Sequence, residues 1–188
     1  MISVLPLVEG EGDVEAVPVL LRMICAAHKR YDVDICRPHR RGDIHKVHRR
    51  FHDFLHAGLN EAQRLLWIMD CDDGCPLEWL AKLEKLIQDN PPSPQCHLRF
   101  AFIVREYESL FLAEQTAARE KLLIEGAFPA NVEAIRGAKE WLSAAMPTGR
   151  AYKETLDQAA ITAQLNLTVL RQKSRSFRHL ESAFLSLI

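Results

Sequence analysis

Short apolar runs alternate with segments of helical spacing along the chain up to about residue 115. The strongest run is LLWIM at 65–69, where large apolar residues stand side by side between charged ones. An uninterrupted run of this kind is typical of a strand that is buried on both faces. Weaker runs occupy 2–8, 32–37 and 97–106, and Pro6 argues against a fully paired position for the first of them. The pattern predicts four strands.

A helix is predicted after each of these strands. The first follows from apolar residues spaced along 17–24, with Asp13 as its N-cap and Pro18 near its first turn or at a kink. Single helices are predicted for 44–59, for 76–90 opening at Pro76 or Leu77, and for 107–123. Beyond residue 126 the pattern is helical, without a strand.

This alternation is that of an α/β protein with a mostly parallel, Rossmann-like four-stranded sheet flanked by helices. We expect a core at residues 1–115 and a helical C-terminal extension at 116–188 packed on it. With 48% hydrophobic and 26% charged residues, the composition is that of a globular protein. No apolar run approaches the length of a membrane span, and nothing resembles a signal peptide.

The 5 cysteines are scattered and odd in number, which argues against disulfides and for a cytoplasmic protein. Cys71 and Cys75 lack a second pair at zinc-ribbon spacing, so structural zinc is not expected.

Acidic residues stand where the predicted strands end. Glu9 ends the first strand, Asp70 the third, and Glu106 or Glu108 follows the fourth. The carboxyl ends of parallel strands share one edge of a sheet, so these acids would face one crevice. Carboxylates brought together repel each other, and a divalent cation such as Mg²⁺ or Mn²⁺ relieves that repulsion.

Two short motifs refine this prediction. On an extended segment Asp70 and Asp72 would point the same way, toward one metal ion. Gly10 and Gly12 would allow a tight strand-to-helix turn, and the helix start, with Asp13, would suit a phosphate.

These motifs resemble those of the Toprim domain, the metal-dependent fold of bacterial primases, topoisomerases and overcoming-lysogenization-defect nucleases. VEGEGDVEAVPVLL is similar to its opening Glu-Gly motif, and WIMDCDD to its Asp-x-Asp motif. The resemblance implies Mg²⁺-dependent phosphoryl chemistry on DNA or RNA. It assigns metal binding to Glu9, Asp70 and Asp72, and catalysis to these three and to Glu108, with Glu9 as general acid or base.

The later segments REYESLFLAE, RAYKETLDQAAIT and SRSFRHLESA resemble an uncharacterised bacterial Toprim-like branch that is often encoded beside ATPases in defence loci. This implies a nuclease effector of an anti-phage system with a possible ATPase partner.

A basic run at 37–56 holds six Lys or Arg against two acids, in a chain whose net charge is only −1. A nuclease needs such a lining for its polyanionic substrate, although a solvated helix face or a surface for an acidic partner would look the same. The candidate nucleic-acid ligands are Arg40, Arg41, Lys46, Arg49 and Arg50.

Other interpretations stay open. Glu11 and Glu15 are best explained as helix-start acids, and Asp73 and Glu106 have no assigned role. Glu15 stands where a dinucleotide-binding fingerprint needs glycine, which disfavours a Rossmann cofactor site. A Toprim-like binding subunit docked on an ATPase, with little or no catalysis, and a small nucleotide or phosphomonoester hydrolase remain alternatives.

Overall fold

A computed structural model describes residues 1–188, apart from the side chain of Glu133. The strands are β1 (Ile2–Val8), β2 (Val33–Ile35), β3 (His39–Arg40), β4 (Arg64–Asp70) and β5 (His97–Ile103). The helices are α1 (Glu11–Ala27), α2 (Ile44–Arg49), α3 (Phe51–Leu59), α4 (Pro76–Asp89), α5 (Ser109–Glu114), α6 (Thr116–Leu122), α7 (Ala138–Ala145), α8 (Ala159–Thr162), α9 (Leu167–Lys173) and α10 (Arg175–Leu185). A 3-10 turn covers Val132–Ala134, and a π-helical turn, Glu154–Gln158, leads into α8.

The strands form one five-stranded sheet in which every strand pair is parallel. Its order is β2-β1-β4-β5, with β3 also paired to β1. The predicted α/β class with a parallel sheet flanked by helices is therefore confirmed. The short β3 was not predicted, because its two residues lie inside the basic run.

Alternate side chains of the strands pack into two hydrophobic clusters, one on each face of the sheet. In β4, Leu66 and Ile68 join the cluster of α1 and the C-terminal helices, whereas Leu65 and Trp67 join the cluster of α2, α3 and α4. Burial on both faces explains why LLWIM is uninterrupted. Phe177 and Phe184 of α10 share the first cluster, and the domain boundary near residue 115 stays a prediction.

Pro6 is tolerated in the central strand because of how β1 pairs along one edge. There, β1 pairs with β2 up to Val4 and with β3 from Leu7 onward. The carbonyls of Val4 and Val8 accept from Cys36 and Arg41 on that edge. Alternation points the nitrogen of Pro6 the same way, into the gap between the two short strands, where no ladder bond is needed.

Three helix predictions were wrong in detail. Helix α1 begins at Glu11 with Gly10 as N-cap, so Asp13 is the third helical residue, and Pro18 lies well inside the helix. The predicted helix at 44–59 is broken at Arg50 (φ −118°, ψ 25°). The predicted helix at 107–123 is broken at Gln115, whose φ is 46°. Among the described residues, no helix has the length and hydropathy that a bilayer span requires.

Candidate functional site

The carboxyl ends of β1 and β4 lie side by side. Leu7 of β1 pairs with Trp67 of β4, so Glu9, just after β1, and Asp70, the last residue of β4, reach the same edge of the sheet. The expected adjacency of these two strands is confirmed.

Glu9 is a partly buried carboxyl whose charge is not balanced by a nearby cation among the described residues. Its pKa is raised to about 7, mainly by burial and then by the charges of Asp72 and Asp13, while a hydrogen bond with the Asp70 backbone acts in the opposite direction. Its Oε2 is buried and has no hydrogen-bond partner among the described residues. A buried carboxylate oxygen of this kind calls for either a proton or a cation.

Asp70 continues the alternation of β4 toward the α1 face. Burial raises its pKa well above the usual value, with contributions from Asp13, Glu9 and Glu108, and Lys139 lowers it. The acids of this crevice thus raise one another's pKa, which is the repulsion that their positions at the strand ends predicted.

The start of α1 is closed by its own side chains and by the π turn. The Gly10 amide donates to Asp13 Oδ2 at 2.8 Å, and Gln158 Nε2 donates to Asp13 Oδ1 at 2.6 Å. A Cβ on Gly12 would collide with Gln158 Oε1 and lie 3.0 Å from the Glu154 carbonyl.

The predicted tight turn is present, since only Glu9 and Gly10 lie between β1 and α1, but its backbone does not depend on the conformational freedom of glycine. Gly10 has φ −97° and ψ 169°, which other residues adopt, and Gly12 is not among the residues with positive φ. Gly12 is required by close packing against the π turn. Asp13 has the helix-start role, and phosphate binding at this turn stays a prediction.

Glu108 lies deeper than Glu9, with its side chain wholly buried. Tyr152 Oη donates to Glu108 Oε1 at 2.9 Å, and Oε2 has no partner among the described residues. The pKa of Glu108 is raised to about 7 by its burial, which outweighs the lowering by the Lys139 charge and by the hydrogen bond from Tyr152. The Lys139 ammonium also bonds Glu154 Oε2 at 2.7 Å.

The loop after β4 is not extended. Asp72 is exposed and has φ 45°, and its backbone forms an isolated bridge with Arg105. The premise that alternation along an extended segment aligns Asp70 and Asp72 was therefore wrong, although Asp72 acts electrostatically on Glu9. Asp73 is paired with Arg105 and, at 3.1 Å, with Arg136.

Glu106 borders this loop in a cavity of about 100 Å³ that Asp72 and Asp73 also line. Its Oε2 accepts from the Lys139 backbone amide at 3.2 Å. Glu106 therefore holds the start of α7, which carries Lys139.

The predicted basic residues divide into three groups. Arg40 lies beside the start of α1, because β3 places it there, and it donates to Glu11 Oε2 at 2.8 Å. The guanidinium groups of Arg41 and Arg50 lie 5.0 and 5.3 Å from the centroid of the Phe54 ring, so both side chains pack against this ring. Lys46 and Arg49 of α2 are exposed.

Helix α2 lies beside the acidic loop. His45 packs edge-on against Trp79 with ring centroids 4.9 Å apart, and a Cβ on Gly74 would lie 2.6 Å from Trp79 Nε1. Part of the basic run therefore borders the loop that carries Asp72.

The carboxylates of the crevice are suitable ligands for a hard cation, although they are not already grouped around one point. Among the described residues, no three His, Cys, Asp or Glu side chains are grouped as a metal site. The unpartnered Oε2 of Glu9 and the raised pKa values of Glu9 and Asp70 nevertheless fit Mg²⁺ or Mn²⁺, which prefer oxygen ligands and keep several waters. Glu9 and Asp70, with Asp72 nearby, would hold it.

Sequence reasoning missed the residues that cover the crevice from the C-terminal half. Lys139 comes from α7, whereas Tyr152 and Gln158 come from residues 150–162, and no spacing in the sequence connects either segment to the strand ends. The only signal was the similarity of RAYKETLDQAAIT to the bacterial branch described above, which marked the segment of Tyr152 and Gln158 without giving roles and does not include Lys139.

Comparisons with known proteins give a family and a fold. The model of a family described as a domain of unknown function, DUF4276, matches residues 8–184. No curated protein matches. The C-terminal region of the Burkholderia pseudomallei OLD protein is similar in structure, with TM-score 0.51 and 14% identity over 99% of this chain and 98% of that one. The C-terminal region of the Xanthomonas campestris pv. campestris OLD protein aligns with TM-score 0.46 and 14% identity over 97% and 96% of the two chains.

Proposed function

Because this chain belongs to the DUF4276 family, whose description states no activity, we propose a function from its site: a Mg²⁺- or Mn²⁺-dependent nuclease of Toprim type that hydrolyses phosphodiester bonds in DNA or RNA. The observation that carries the proposal is the position of Glu9. Its carboxyl stands next to Asp70 across adjacent parallel strands, with one buried oxygen that lacks a partner.

The chemistry follows from what each residue holds. A bound cation would polarise the phosphodiester and stabilise the departing oxygen. Asp70 and Glu9 would present their oxygens to it, and its charge would offset the burial and the neighbouring acids that raise the pKa of Glu9 in the absence of metal. Arg40, Lys46 and Arg49 would contact the substrate phosphates.

The test is cleavage of single- and double-stranded DNA and RNA with Mg²⁺, with Mn²⁺ and with a chelator, alongside a small phosphomonoester. We expect cation-dependent cleavage of a polymer that Asp70→Asn abolishes and that Glu15→Gln, an exposed acid of α1, leaves intact. Cleavage that persists in Asp70→Asn would sink the proposal. Hydrolysis of the phosphomonoester alone would reassign the chain to small substrates.

A binding subunit remains a second candidate, because no grouped metal site is present among the described side chains. It predicts no cation binding that depends on Glu9 or Asp70, which calorimetric titration with Mn²⁺ measures.

We also propose that the nuclease is the effector of a defence system with an ATPase partner. The sequence resemblance supports this role, as does the fold that the chain shares with the C-terminal region of an OLD protein. Copurification with the product of an adjacent ATPase gene would test it. An adjacent ATPase that neither binds this chain nor alters its cleavage would count against it.

A further inference from the structure

A basic cleft is lined by no described residue of the predicted basic run at 37–56. It has a volume of about 570 Å³ and lies between residues 129–132 and the junction of α9 and α10. Its cations are Lys173, Arg175 and Arg178, and none of its described lining residues is acidic. In a chain of net charge −1, three cations around one cleft form a local positive field.

Lys173 is the last residue of α9, where the helix dipole favours a cation, but the helices give no such reason for Arg175. Arg175 is the first residue of α10, where the helix dipole disfavours a cation, and no acid stands in that turn. Among the described residues, Lys173 and Arg175 have no hydrogen-bond or ion-pair partner for their side chains. Arg178 differs, because it donates to the Arg171 carbonyl at 2.8 Å and so supports the end of α9.

A groove that shares Arg175 with the cleft runs toward the acidic loop after β4. The amide of Val104, just past β5, donates to Ser176 Oγ at 3.0 Å, which places the start of α10 at the carboxyl end of β5. Arg175 also borders a groove of about 280 Å³ that reaches Cys75 and Pro76, directly after the acidic loop. The groove is mostly apolar, with Leu77, Phe102 and Val104 in its lining.

We propose that this cleft binds the sugar-phosphate backbone of the nucleic acid, as a contact separate from that of α2. The inference rests on the proposed nuclease function. Lys173 and Arg175 contact phosphates, and the apolar groove accommodates unstacked bases between the cleft and the acids. That combination of cations and apolar surface fits a single strand better than a duplex.

The test measures binding separately from cleavage. Fluorescence anisotropy of labelled single-stranded and duplex oligonucleotides is recorded against salt concentration in the Asp70→Asn background. The cleft variant is Lys173→Gln with Arg175→Gln, which spares Arg178. The control variant is Arg22→Gln with Lys85→Gln, two exposed cations outside the cleft.

We expect the cleft variant to lose affinity for the single strand and to reduce the slope of log K against log salt by about 1.4, at roughly 0.7 per phosphate contact. The control should keep the slope of the parent protein. An unchanged slope in the cleft variant, or no binding in any protein, overturns the inference. Inorganic phosphate is also added as a competitor of the labelled oligonucleotide. If it displaces that oligonucleotide as well as an unlabelled oligonucleotide does at the same total concentration of phosphate groups, the inference is overturned, because the cleft would then bind free phosphate.

The two proposals fail separately. Binding that depends on Lys173 and Arg175 without any cleavage by the native protein would remove the nuclease assignment and keep the backbone cleft. Cleavage with an unaffected slope would do the reverse.

Discussion

Glu9 and Glu108 have the same raised pKa of about 7, although their surroundings differ in burial and in the charges of their neighbours. Glu108 is wholly buried but has a hydroxyl donor in Tyr152 and a cation in Lys139. Glu9 is only partly buried, and its strongest electrostatic neighbours, Asp72 and Asp13, are acids.

The difference teaches that a raised pKa alone does not identify a catalytic carboxyl. Glu108 already has what a buried carboxyl needs, apart from one oxygen, and its hydrogen bond connects the end of β5 to the segment of Tyr152. Glu9 lacks a positive partner, and the crevice beside Asp70 is where a cation would supply one. We therefore propose that Glu9 holds the metal ion. Glu108, predicted from the sequence as catalytic, instead positions Tyr152 and Lys139, which form the cover of the site.

The largest expected effect separates the two carboxyls by activity. Glu9→Gln should reduce Mg²⁺-dependent cleavage about 10³-fold, within the range typical of a positioned acid or base. Glu108→Gln keeps an acceptor for Tyr152 and should change the rate by less than about tenfold. Steady-state cleavage rates at saturating Mg²⁺ measure both, and equal losses in the two variants would remove the distinction.

The pH dependence of stability should show both carboxyls when no metal is bound. Between pH 4.5 and about 7 the folded protein holds protons that the unfolded chain has released, so the free energy of unfolding falls as pH rises. The full shift at the buried Glu108 corresponds to about 3 kcal/mol as an upper limit. Urea denaturation in a chelator at a series of pH values measures this fall.

Glu9→Gln and Glu108→Gln should each flatten the curve. Added Mg²⁺ should restore stability above pH 7 in native protein and in Glu108→Gln, and not in Glu9→Gln. A curve that Mg²⁺ restores equally in all three proteins would place the cation elsewhere.

The two glycines at the start of α1 extend the comparison to the backbone. Gly12→Ala should destabilise the fold by about 1–3 kcal/mol, because its Cβ meets the π turn. Gly10→Ala should change stability by less than about 1 kcal/mol, since its backbone suits alanine and its Cβ would lie 3.3 Å from Asp13 Oδ2. Denaturation midpoints at fixed pH compare them, and an equal cost would contradict the packing account.

The smallest effect concerns the cover itself. Tyr152→Phe removes the donor to Glu108 and should cost about 1 kcal/mol of stability. It should also raise the pKa of Glu108 further, because that hydrogen bond lowers it. Carboxyl titration by NMR with selective labelling measures this shift. A lower Glu108 pKa in the variant would contradict the role of Tyr152 as its hydrogen-bond donor.

The sequence predicted the framework of the site because its signals are local. A run such as LLWIM followed by acids gives a strand and its end, and the rule for parallel sheets then places Glu9 and Asp70 together. The two faces of the sheet follow from simple alternation. These predictions needed no knowledge of distant contacts.

What failed depended on tertiary packing. The left-handed backbone of Asp72 follows from the bridge to Arg105, which no pattern around DCDD announces. Gly12 is explained by Gln158, which is distant in the sequence, and Lys139 reaches Glu108 from a helix that no motif connects to it. The break at Gln115 accompanies a hydrogen bond from the Ala117 amide to Glu114 at 3.1 Å, a side-chain detail that helical spacing does not encode.

The central claim is that a divalent cation binds between Glu9 and Asp70, and a crystal structure with Mn²⁺ tests it most directly through anomalous scattering. We predict an anomalous peak within coordination distance of Glu9 Oε2 and an Asp70 carboxylate oxygen, absent from crystals of Glu9→Gln. A fully occupied Mn²⁺ bound elsewhere, with Glu9 Oε2 still without a ligand, would contradict the account.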